Sequence, residues 1–104
     1  MEILNGVLKE ELERLKALVI NYEQEISGLP KGSLVKKNIR GHIYYYLNYR
    51  KEGKGIFEYL GKLNKNDLDK LKKKIKDRRE LEKLNRSVKK DIRKLQKMVH
   101  ERKK

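Results

Sequence analysis

The side chains that could do chemistry in this chain are cations and planar rings, set close together. Lys36, Lys37 and Arg40 precede the tyrosine run Tyr44-Tyr45-Tyr46, and Arg50 and Lys54 follow it. Further on, Lys72, Lys73, Lys76 and Arg79 open a dense basic stretch that Arg86 and Lys90 continue. Cations that displace condensed counterions from phosphates, beside rings on which bases stack, are what a nucleic-acid surface requires. These basic residues, with Tyr44 and Tyr46 from the tyrosine run, are therefore the expected nucleic-acid contacts. The same types also have a structural use, because tyrosines cover a sheet face and edge-strand lysines oppose pairing with another sheet.

Catalytic chemistry has little to work with. The chain has no cysteine, and its two histidines, His42 and His100, have no carboxylate placed at triad or metal-ligand spacing. Lys31-Gly32-Ser33 lacks the rest of a phosphate-cradling loop. A non-enzymatic protein without metal or cofactor is the expectation.

Charge points toward a polyanion. The 104 residues carry 29 basic and 15 acidic side chains, a net of +14, unevenly spread. Residues 1–30 hold three basic and six acidic groups, residues 31–62 eight and two, and residues 63–104 eighteen and seven, giving −3, +6 and +11. Solubility alone would interleave more acids with the basic stretch, although Asp69, Asp77, Glu80, Glu82 and Asp91 supply some neighbours. The acidic start MEILNGVLKEELERL does not read as a secretory signal, and no apolar run nears the roughly 18 residues of a membrane span. A soluble, cytoplasmic protein with no membrane partner is expected.

The elements that must position these groups follow from periodicity. Leu4, Leu8, Leu12, Leu15, Leu18, Val19, Tyr22 and Ile26 fall three or four apart, which predicts a helix over about 3–28 ending at Gly28-Leu29-Pro30-Lys31-Gly32, where glycine can take positive φ. The next stretch is β-branched and aromatic with glycine-containing turns, and predicts strands near 33–37, 42–50 and 55–60. In the second strand Ile43, Tyr45, Leu47 and Tyr49 share one face, and Tyr44, Tyr46, Asn48 and Arg50 the other. Helical spacing returns in Leu68, Leu71, Ile75, Leu81, Leu84, Val88, Ile92, Leu95 and Val99, predicting a helix over about 65–99 capped by Asn64 or Asn66, with a frayed tail over 100–104. The gap between Ile75 and Leu81 predicts a kink, a loosened coil, or the point where the helix leaves the core.

The fold expected is thus α+β and one domain: a long N-terminal helix, a three-stranded antiparallel meander over about 33–62, and a very long basic C-terminal helix. The helices are expected to pack as a coiled-coil-like pair. Pairing within one chain and between two chains asks for the same spacing, so a homodimer stays open.

The middle third also carries a resemblance. Lys31-Gly32-Ser33, Tyr44 to Tyr46, Tyr49-Arg50, Gly53-Lys54 and Tyr59-Leu60-Gly61-Lys62 look like a recurring small basic module of bacterial, archaeal, phage and mobile-element proteins. The layout is similar to the arm-type DNA-binding domains of phage integrases, which implies a three-stranded sheet that inserts one face into the major groove. No recombinase domain follows and the flanking helices are longer, so recombinase activity is not implied.

The function expected is a nucleic-acid-binding accessory protein of phage or mobile-element type, acting on DNA or RNA. Sequence-specific readout is not favoured, because lysine outnumbers arginine 21 to 8 and arginine is the usual bidentate reader of bases. The alternative is a protein-interaction module, such as a phage-encoded inhibitor of a host nucleoprotein complex like a CRISPR effector.

Overall fold

A computed structural model describes residues 2–102 and has the α+β layout: α1 (Glu2–Ser27), β1 (Ser33–Ile39), β2 (His42–Lys51), β3 (Lys54–Gly61) and α2 (Lys65–Arg102). Helix α2 includes positions 100–102, and residues 103 and 104, the end of the expected frayed tail, lie outside the described residues. Among the described residues no helix is long and apolar enough to cross a membrane. The packing separates two units, one of residues 1–28 with 80–104, the other of residues 29–79.

In the second unit the strands form an antiparallel meander in the order β1-β2-β3. Both hairpins close through two residues at positive φ, Arg40 (54°) with Gly41 (83°) and Glu52 (53°) with Gly53 (77°). Two successive left-handed residues make the tight turn whose twist matches that of the strands, and this is why glycine stands second in each. Asn38 Oδ1 braces the first turn by accepting the Gly41 amide at 3.1 Å. The register pairs Leu34 with Leu47 and Val35 with Tyr46 on one side of β2, and Leu47 with Glu58 and Tyr46 with Tyr59 on the other. Cross-strand partners share a face, so Leu34, Tyr45, Leu47, Tyr49 and Ile56 form the inner face and Val35, Tyr44, Tyr46, Phe57 and Tyr59 the outer one.

The inner face is the one that is closed. Leu47 is buried, as is Ile75 of α2, and Leu34 and Ile75 line the same hollow. Two arginines fasten the helix to the segment leading into β1: Arg78 Nη1 donates to the Leu29 carbonyl at 2.6 Å, and Arg79 Nη2 to the Gly32 carbonyl at 3.3 Å and Ser33 Oγ at 3.2 Å. Asn64 caps α2, its Oδ1 accepting the Asp67 amide at 2.8 Å, and so decides between the two asparagines expected there.

Two local expectations are made definite and a third, on Leu84, is corrected. The left-handed glycine after α1 is Gly32 (φ 106°) and not Gly28, whose amide instead donates to the Glu25 carbonyl at 3.2 Å. Helix α2 runs unbroken through the Ile75–Leu81 gap, where half-buried Arg78 occupies the missing seam step, and the division between the two units falls just after it, in agreement with the last of the three outcomes expected there, the helix leaving the core. Leu84 is not on the seam. It is 49% exposed, whereas Asn85 is buried at 8%, since the step from Leu81 toward Val88 passes through position 85.

In the first unit Glu23 of α1 meets Lys89 of α2 at 3.0 Å, and Glu11, Arg14 and Leu15 share a groove with Asp91, Lys94, Leu95 and Met98. Rising numbers on α1 meet falling numbers on α2, so these helix segments run antiparallel. Leu15 of α1 and Val99 of α2 are buried.

Gly32 is the tightest point of the sheet, since a Cβ there would lie 2.2 Å from the Asn48 carbonyl oxygen and 2.8 Å from Tyr49 Cβ. Gly32→Ala should cost about 3 kcal/mol or more, combining a strained φ with overpacking against backbone. Gly41→Ala, where a Cβ meets nothing within 4 Å, should cost only about 1 to 2 kcal/mol. Urea unfolding of the two variants checks the order, and equal losses would contradict it.

Candidate nucleic-acid interface

The outer face of the sheet carries a cluster of aromatic rings. Tyr59 sits at its centre, its ring centroid 5.3 Å from that of Tyr46 and 6.3 Å from that of Tyr44. A bulge places it there: Tyr45 pairs with Gly61 and Tyr46 with Tyr59, leaving Leu60 outside the ladder and Gly61 at φ 82°. The Tyr59 ring lies beside Gly61, its nearest ring carbons 3.7 Å and its hydroxyl 3.6 Å from where a Cβ would stand. Lys37 Nζ lies 4.8 Å from the centre of the Tyr46 ring and 5.4 Å from that of Phe57, and Lys62 Nζ lies 5.7 Å from that of Tyr44. Lys62 also approaches His42 Nδ1 at 3.4 Å.

The sheet's expected contact residues are thereby divided. Tyr44, Tyr46 and Lys37 are together on the outer face, and Arg50 registers on that face opposite Gly55, its carbonyl accepting from Lys31 Nζ at 3.1 Å. Lys36 pairs with Tyr45 and Lys54 with Lys51, which places both on the inner side of the register, and Arg40 belongs to the first turn. Phe57 and Tyr59, 56% and 60% exposed, were not among the expected contacts. Alternation along β3, read against the tyrosine run, was the signal for them.

On α2, Lys72, Lys76 and Arg79 converge with Ser33, Leu34 and Ile75 around an open hollow of about 360 Å³. Lys73 is exposed but not part of that lining. In the first unit Arg86 and Lys90 belong to a longer row, Lys83, Arg86, Lys90, Arg93 and Lys97, whose steps of three and four hold it within a sector of about 80° on a helix of 3.6 residues per turn. All five are exposed, Asp91, the one acidic residue between positions 83 and 97, falls outside that sector, and the row spans about 21 Å at 1.5 Å per residue. It lies on the opposite side of the helix from the buried or half-buried Asn85, Val88, Ile92, Leu95 and Val99. The ion pair to Glu23 uses Lys89, outside the row. Of the five, Arg86 and Lys90 were expected contacts, Arg93 and Lys97 belong to the same basic stretch of the sequence, and the spacing adds Lys83.

Among the described residues no three His, Asp or Glu side chains gather where they could hold a metal ion. The arrangement offers cation rows and exposed rings.

Residues 4–70, well over half of the chain, match the model of a family described as a domain of unknown function, DUF6788. The chain belongs to that family, and the matched segment takes in most of α1, the whole sheet and the first residues of α2. No curated protein and no solved structure matches it.

The two faces of the sheet should respond differently to truncation. Leu47→Ala, at a buried inner position, should cost about 2 to 5 kcal/mol. Tyr59→Ser should cost about 1 kcal/mol, the worth of its ring contacts. Thermal unfolding measures both, and the reverse order would exchange the faces.

Proposed function

We propose that this protein is a non-enzymatic nucleic-acid-binding protein of phage or mobile-element type, holding phosphates along α2. The row Lys83, Arg86, Lys90, Arg93 and Lys97 is the observation that carries this reading. Like charges three and four residues apart destabilise a helix. Neither the Glu11–Arg14 nor the Glu23–Lys89 ion pair involves any of these five. A polyanion would relieve them. Each phosphate that meets such a cation releases a condensed counterion, so binding is driven largely by entropy and falls steeply with salt. The hollow with Lys72, Lys76, Arg79 and the Ser33 hydroxyl offers a second phosphate contact of the same chemistry.

One observation favours the alternative, a module that binds another protein, for instance within a host nucleoprotein complex. Ile3, Val7 and Ile20 of α1 are 86%, 55% and 58% exposed, and the buried Asn85 Oδ1 has no hydrogen-bond partner among the described residues. A helix seam shared with another chain would use both features.

Changing all five row residues to glutamine should make the plot of log affinity against log salt shallower by about 4, at roughly 0.7 to 0.9 per lost phosphate contact. The helical circular-dichroism signal should stay at the wild-type level. Fluorescence anisotropy with labelled oligonucleotides across a salt series reads the slope. An unchanged slope removes the row from the binding surface, and absence of any salt-sensitive binding by wild-type protein at micromolar concentration favours the alternative.

A further inference from the structure

Duplex and single-stranded nucleic acid present the same phosphates but different base surfaces. In a duplex the base faces are stacked on one another, and only their edges reach a protein. In a single strand the faces are open to aromatic side chains. The outer face of this sheet is built of ring faces. Tyr44, Tyr46, Phe57 and Tyr59 lie on two adjacent strands, with Tyr59 tilted 38° and 57° to the rings of its two tyrosine neighbours. Phe57 and Tyr59 are more than half exposed.

We propose that this face is a stacking platform for unpaired bases, and that single-stranded nucleic acid is therefore the preferred ligand. The inference rests on the phosphate-binding reading above and specifies its substrate. Charge on the face agrees with it. Lys37 and Lys62 stand over the rings, and neither acid of the sheet is present, because Glu58 registers with Leu47 on the inner side and Glu52 occupies the second turn. An apolar protein partner seated here would bury two ammonium groups without counter-ions, at a desolvation cost that nothing offsets. A single strand supplies what both parts of the face call for, a planar group for each ring and a phosphate for each ammonium. Lysine stems are long and flexible, so an arriving base displaces the ammonium from the ring and the ammonium moves to the neighbouring phosphate.

The test uses the full chain, a labelled oligothymidylate and a mixed-sequence DNA duplex of equal length. The double substitution Phe57→Ser with Tyr59→Ser should weaken single-strand binding by about ten-fold or more, change duplex binding by no more than about two-fold, and leave the salt slope unaltered. Tyr59→Phe, which keeps the ring, should retain single-strand affinity. If the serine pair unfolds the sheet, Phe57→Leu with Tyr59→Leu keeps apolar area without planar rings and should show the same selective loss. Equal losses on both ligands, no loss on the single strand, or a change in oligomeric state by sedimentation in place of a binding defect would each overturn the platform. Failure of the phosphate reading looks different, since wild-type protein would then bind neither ligand in a salt-dependent way.

Discussion

Repulsion between like charges is the constraint under which this fold is assembled. A chain with 29 cations and 15 acids must either disperse its excess charge or place it where something outside the chain neutralises it. Some of the excess is absorbed internally. The acidic α1 brings Glu23 to Lys89, and Arg78 and Arg79 spend their donors on the carbonyls and hydroxyl of the segment entering β1. What is left is ordered. Five exposed cations of α2 keep to one side, away from the buried seam, with Asp91, the acid between positions 83 and 97, at another angle. A helix selected only for solubility gains nothing from this separation of signs.

The sheet solves a different problem with the same economy of structure. Three strands alone are marginal and need one face covered. Strict alternation along β2 gives that role to Leu47 with Leu34 beside it, and leaves the opposite face to rings and lysines. The bulge at Leu60 then brings Tyr59 between Tyr44 and Tyr46 and turns a row of side chains into a patch. Surface and scaffold are therefore separable by residue, and the two faces can be tested without confusing stability with binding.

Much of the fold could be read from the residue pattern, because it rests on short-range rules. Glycine second in each turn announced tight hairpins, period-two alternation assigned the faces of β2, and the two asparagines ahead of Asp67 marked the start of α2. What stayed open or was misread shares one cause, which is that long-range geometry decides it. Gly28 and Gly32 are equivalent as helix-ending glycines until the Asn48 carbonyl is brought against Gly32. A count of apolar residues chooses Leu84 for the seam, and only the packing of both helices selects buried Asn85. Likewise Arg78 reads as surface charge until the Leu29 carbonyl is placed beside it. For the candidate interface, residue type was legible and grouping was not. Lys36 and Lys37 are neighbours in sequence but belong to opposite faces of the sheet, while Phe57 and Tyr59 join the tyrosines only through the β2–β3 register.

The central claim is that ordered cations on α2 meet phosphate, and lysine footprinting tests it most directly. The free protein and the protein saturated with an oligonucleotide are acetylated in parallel, and the modified sites are quantified by mass spectrometry. Lys83, Lys90 and Lys97 should be protected in the complex, while Lys9 and Lys16 on the acidic helix should react as in the free protein. Uniform reactivity across these five lysines, or protection confined to α1, would contradict it.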